Sequence, residues 1–242
     1  MTDDVVGRRR IARRRPGRRA RSAGWGGPVA MIALSAVPLA AGALRLAQLG
    51  GVAQVVPADR RFADAPAPLV LHVVGAAVYA VVGALQIVPG LRRRHPAWHC
   101  RAGRVVTGVG VLVAGSALWM TLLYAAKPGT GDLLYVLRLA FGSAMVACLV
   151  LGITAIRRGD VPHHRAWMIR AYAIALAAGT QMFTEGIGGA LFGTGGAKGD
   201  LAKAAGWVIN LAVAEWVIRR TAPAPTTRRG GRPSVAATGL SS

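Results

Sequence analysis

Polar and ionisable side chains set inside apolar stretches are the residues of this chain best placed to do chemistry, and they form two groups. The first is His72, Arg138, Gln181 and Glu185. Each lies in a run apolar enough to cross a bilayer, where a charge costs about 3 kcal/mol or more unless it is paired or hydrated. His72 is one turn into its run, Arg138 about one and a half turns into another, and Glu185 near the end of a third. Because successive runs alternate in direction, these three fall at one depth in the outer leaflet. On the stretch that carries Glu185, the residues Arg170, Ala173, Ala177, Gln181 and Glu185 recur at helical spacing and share one face. The expected arrangement is a polar cluster inside a helix bundle, with Arg138 and Glu185 compensating each other. An ion pair that only fixes helix packing is the alternative.

The second group sits where two basic connections enter apolar runs. Arg92-Arg93-Arg94-His95-Pro96-Ala97-Trp98-His99-Cys100-Arg101-Ala102-Gly103-Arg104 leads into one, and Arg157 to Arg170, with His163, His164, Arg165 and Trp167, leads into another. Each combines basic residues, a proline and a histidine just before a helix, a weak sign of a duplicated hairpin. Histidines on neighbouring helices can ligate haem iron while arginines hold its propionates, so His99 and His164 are candidate ligands of one haem b. The competing role is hydrogen bonding to lipid phosphates or helix ends. His163 and His164 beside Asp160 could also hold a labile metal, although loop histidines are more often solvated. No paired-cysteine zinc motif and no Gly-x-Ser-x-Gly occurs, and Gly108-x-Gly110 lies inside an apolar run, out of context for a dinucleotide. No enzyme class is identified, and the two cysteines, Cys100 and Cys148, are too far apart in their expected compartment to pair.

The elements that must position these residues are six apolar runs, at about 28–45, 69–89, 105–126, 133–156, 166–186 and 201–218. They predict an all-α, polytopic transmembrane bundle over residues 25–220. Nine Lys and Arg lie in the N-terminal tail, five between Arg92 and Arg104, three between Arg157 and Arg165 and five in the C-terminal tail. The intervening connections and their flanks hold six: Arg45, Arg60, Arg61, Lys127, Lys198 and Lys203. Positive charge stays inside, so both termini are expected in the cytoplasm. Residues 1–24 and 221–242 are too polar to bury a core and read as unfolded tails. A cleaved signal in place of the first span is disfavoured, because its apolar run continues past the cleavage-like Ala-Gly-Ala.

A formal charge of +21 would suggest nucleic acid in a soluble protein. Here the arginines flank spans, so the expected partners are the bilayer and its anionic headgroups rather than nucleic acid. A second copy or a larger membrane complex is a further candidate partner. Small residues four apart, Ala76-Ala80-Ala84, Ala140-Ala144-Cys148-Gly152 and Ala171-Ala175-Gly179, mark faces where helix backbones approach closely, and place the core in spans two to five. The tryptophans, Trp207 among them, fall toward span ends as interfacial aromatics do.

At these residues the chain resembles the bacterial membrane proteins grouped as domain of unknown function 2306. The resemblance covers roughly residues 68–186 and rests on His72, on His99 with Gly103 and Arg104, and on His164-Arg165-Ala166-Trp167-Met168-Ile169-Arg170. It implies a multi-pass protein of the bacterial cytoplasmic membrane whose defining residues are these histidines and arginines, and it carries no activity. Three function classes follow: an accessory or scaffold membrane subunit first, then a haem-bearing electron carrier or a small permease or channel.

Overall fold

The computed structural model describes residues 19–52, 59–62, 65–127 and 129–221. Among them the chain is all helical: α1 (Arg19–Leu49), a 3-10 turn (Arg60–Phe62), α2 (Ala67–Gln86), α3 (Pro89–Arg94), α4 (Pro96–Leu123), α5 (Asp132–Arg157), α6 (Val161–Phe192) and α7 (Gly196–Arg220). Residues 1–18 and 222–242, most of the expected tails, lie outside the described residues.

Five helices, α1 from Gly24, α2, α4, α5 and α7, are long and apolar enough to cross a membrane. Helix α6 is the longest, at 32 residues, but Arg170, Gln181 and Glu185 interrupt its apolar run. Packing explains how it tolerates them. Helix α6 touches α1, α2, α5 and α7, so much of its surface faces protein rather than lipid. The remaining contacts run α1 on α2, α2 on α4, α4 on α5 and α5 on α7. Short connections between antiparallel neighbours bring 92–104 and 157–165 to one end of the bundle. The 129–131 and 193–200 segments meet at the other end, where the Gly196 amide donates to Gly129 O.

Element boundaries differ from the expected spans for local reasons. Helix α2 stops at Gln86 rather than 89, because the residue before a proline is driven out of the helical region, and Val88 before Pro89 is extended at φ −68, ψ 111. A proline at a first helical position forfeits no helical bond, and Pro96 starts α4 nine residues before the expected 105. Helix α1 begins at Arg19, so residues 19–24 are helical. The glycine-rich stretch from Gly186 continues as α6 through Gly188 and Gly189. It breaks only at Gly193 and Gly195, whose φ of 85 and 89 suit glycine alone.

The core lies among α2, α4, α5 and α6, centred on Tyr79, Met145, Leu149, Ala171 and Ile174. With lipid as apolar as leucine, van der Waals contact holds helices together, and close approach needs small residues. A methyl on Gly83 would come within 2.6 Å of the Tyr172 ring, and one on Gly110 within 2.6 Å of the Tyr79 ring. These two glycines let α2 and α4 accept the tyrosines that line the middle of the bundle.

Candidate functional site

The polar face expected on α6 exists, but it meets α7. Arg170 Nε and Nη2 donate to the two carboxylate oxygens of Glu215 at 2.5 and 3.1 Å, and the guanidinium lies 4.7 Å over the Trp167 ring. Thr180 Oγ1 donates to Asn210 Oδ1 at 2.8 Å, and Asn210 Nδ2 donates to Ala173 O at 3.2 Å. Gln181 Nε2 donates to Lys203 O, and Lys203 Nζ pairs with Glu185 at 3.0 Å. Polar groups in the hydrocarbon layer need internal partners, and this seam supplies one for each. The expected Arg138–Glu185 pair is therefore corrected: Glu185 is held by Lys203, which the α6–α7 turn brings alongside.

His72, Arg138 and Gln181 do share a place. All three line a cavity of about 400 Å³ walled by α2, α4, α5 and α6. Its floor is apolar, made by Met145 and by Tyr79 and Tyr172, whose rings stack at 5.7 Å while Tyr172 Oη donates to Ala80 O at 2.7 Å. One wall carries Trp207 stacked on Phe141 at 4.7 Å. Around the mouth stand Arg61, Phe62, Tyr124 and Lys127, from the segments that precede α2 and follow α4.

The electrostatics of this cavity are one-sided. Among the described residues no Asp or Glu lines it, whereas Arg61, Lys127 and Arg138 do. Arg61 is already paired with Asp59, whose carboxyl the guanidinium holds below the usual carboxylate range. Arg138 has no hydrogen bond or ion pair among the described residues; Asp200 and Glu185 act on it only through space, and Arg61 opposes them. His72 Nδ1 lies 3.0 Å from Val113 O and 3.3 Å from Ser116 Oγ, which fixes the ring and leaves Nε2 without a protein partner. The arrangement can hold an anion on Arg138 above an aromatic, apolar floor.

At the arginine-rich end, His164 Nδ1 donates to Gly152 O at 2.8 Å, while His99 Nδ1 is buried without a partner. The Gln86 amide is also buried and unpartnered, and lies against Gly103. His99 and His164 act on each other electrostatically, so this end does bring the two entry motifs together. Of the remaining motif residues, Arg104 is exposed, Arg165 half-buried, and Trp167 and Arg170 belong to the seam around Glu215. Asp160 caps α6, accepting from His163 N at 3.1 Å, and pairs with the His163 ring at 2.7 Å. Among the described residues no group of three or more His, Cys, Asp or Glu is placed to hold a metal ion, and both cysteines are free.

Sequence reasoning passed over Glu215, Asn210 and Asp200. A carboxylate in the last apolar run was the available signal for Glu215. Asp200 had none, since it is 1% exposed and accepts from Leu134 N at 3.0 Å, capping α5 from the first turns of α7. Trp207, read as interfacial, is instead part of the cavity wall, because α7 starts at Gly196 and carries it well inside the helix.

A family model described as "Predicted membrane protein (DUF2306)" matches residues 69–218. No curated protein and no solved structure matches the chain.

Proposed function

The chain belongs to the DUF2306 family of predicted membrane proteins, and from that premise, which gives a membrane setting but no reaction, we propose that it is a carrier-class protein that binds a small amphipathic anion inside the bilayer. One observation supports this above the others: Arg138, about 9 Å along α5 from its first residue, lines the cavity with no hydrogen bond or ion pair among the described residues. Such a charge is costly in hydrocarbon and is compensated by an anionic ligand or by water. The cavity is of ligand size and mostly apolar with few polar groups, as small-molecule sites are. An accessory subunit without chemistry would need no such cavity.

Native mass spectrometry of the protein released from its own membranes tests the reading. One small anionic molecule per chain is expected on the wild type and none on Arg138→Gln. The same adducts on both would defeat it.

A second reading draws on a different observation. His99 Nδ1 is buried without a hydrogen bond, and His164 is oriented through Nδ1 with Nε2 left over, as histidine ligands commonly are. Haem ligation by these two would give a reduced-minus-oxidised Soret signal in the purified protein, and its absence with haem supplied would remove this reading.

A further inference from the structure

A smaller pocket of about 120 Å³ lies between α1, α2 and α6, and it abuts the main cavity. Ser35, His72, Ala76, Ala80, Ala175, Leu176 and Ala178 line both, so these side chains separate the two spaces. Five of them are small. The pocket is bounded on its other side by Pro38, Leu39 and Gly42 of α1, which places it on a route from the cavity to the edge of the bundle.

Helix α1 is the least embedded of the bundle. Among the described residues its main contacts are with α2 and α6; it lies outside the matched family region and exposes Val29, Val37 and Leu44. Its attachment is narrow. Pro38 has no amide hydrogen, so the Leu34 carbonyl loses its partner one turn on, and that carbonyl packs against Gly179 of α6. A methyl on Gly179 would overlap it, and one on Gly42 would come within 2.9 Å of Val73. A helix with a proline in its interior, held at two glycine crossings, leaves a seam beside the pocket rather than a sealed wall.

On the cavity reading given above, we propose that the ligand is a single-chain lipid with an anionic head, taken laterally from the bilayer past α1. Its head sits on Arg138, with Lys127 at the mouth, and its chain runs over His72 and Ser35 into the pocket beneath α1. Charge complementarity selects the head: among the described residues the lining holds cations and no carboxylate. The apolar side pocket selects the chain, for which a water-soluble anion has no use.

Three probes separate these features, each titrated into the full-length protein in a neutral maltoside detergent and read by native mass spectrometry. Lysophosphatidate with a sixteen-carbon chain carries both head and chain, glycerol phosphate the head alone, and monopalmitoylglycerol the chain alone. Lysophosphatidate is expected to half-fill the site at a concentration at least about tenfold below either of the others, a step of about 1.4 kcal/mol. Leu39→Trp, which fills only the side pocket, should weaken lysophosphatidate by about tenfold and leave glycerol phosphate unchanged. Glycerol phosphate binding as tightly as lysophosphatidate would overturn the lipid proposal while leaving the anion cavity standing. Equal binding of lysophosphatidate and monopalmitoylglycerol would defeat the cavity reading itself. Should Leu39→Trp fold poorly, shortening the chain from sixteen to eight carbons on the wild type gives the same decision, since an unused pocket would make length immaterial.

Discussion

Arg138 and Arg170 both lie inside the expected membrane spans, and their surroundings differ. Arg170 gives two hydrogen bonds to Glu215 and stacks over Trp167, within a seam where α6 and α7 pair every polar side chain named above. Arg138, on α5, lines a cavity and touches no counter-charge. An intramembrane charge by itself therefore marks no ligand site; what distinguishes one is a charge the fold leaves uncompensated. Gln181 belongs to both regions, lining the cavity while its amide is tied to Lys203 O. The paired seam thereby holds the unpaired wall in place.

The sharpest way to break this contrast is to unpair the seam. Glu215→Leu strands Arg170, and because both side chains keep about a quarter to a third of their exposure, the expected loss is about 2 kcal/mol, below the range for fully buried pairs. Arg170→Met with Glu215→Leu removes both charges and should recover most of it, as replacing an ion pair by apolar groups often does. Unfolding by sodium dodecyl sulfate, followed by circular dichroism, measures both. If the double variant falls as far as the single one, the pair does more than satisfy itself.

Next in size is the cap that joins the two regions. Asp200 accepts the Leu134 amide at the start of α5, the helix that carries Arg138, and a methyl on Gly131 would come within 2.6 Å of its carboxylate. Asp200→Ala should destabilise by about 1–2 kcal/mol through the orphaned first turn. It should also weaken ligand binding without any change at Arg138, because the helix that presents the guanidinium frays. Unaltered binding beside the lost stability would confine Asp200 to a structural role.

Arg138→Leu reverses the sign. With no protein partner to strand, it should leave the ligand-free protein unchanged or more stable by up to about 1 kcal/mol, while abolishing retention of the anion. Destabilisation comparable to Glu215→Leu would mean that Arg138 is paired after all, and the distinction between the two arginines would collapse.

Much of the fold was legible because the membrane permits so few solutions: apolar length marked out the helices, and small residues four apart marked Ala84, Ala171 and Gly179, all of them buried. Partnership was less legible. Helical spacing put Arg170, Gln181 and Glu185 on one face but could not say that the face meets α7, since a periodicity fixes direction about one axis and not which neighbour lies there. Glu185 was consequently assigned to Arg138 when Lys203 holds it. His72 and Arg138 could be grouped by depth, and Gln181 through the helical face it shares with Glu185. The cavity between them could not, because Tyr79, Tyr172 and Trp207 come from distant helices and carry no pattern that announces a void.

The smallest effect comes from a third kind of polar contact, paired but in water. Asp160 accepts from the His163 amide at the start of α6, and this bond, with the His163 ring as a lesser contributor, holds its carboxyl below the ordinary 3.8. A carboxyl depressed on folding contributes stability that is complete well above 3.8 and is lost as pH falls through the folded value. The thermal midpoint should therefore decline slightly below pH 4 for the wild type, and the wild-type-minus-Asp160→Asn difference should shrink over the same range, since Asn retains a cap acceptor but has no proton to bind. Above pH 5 the difference should be constant. The seam and cavity arginines do not titrate in this window, so a change confined to it reports Asp160 and the other carboxylates alone, and comparison with Asp160→Asn isolates the first. A difference that is flat from pH 3 to 6 would show that water already satisfies this end of α6, leaving the depth of a polar group, and not its pairing, to decide how much it matters.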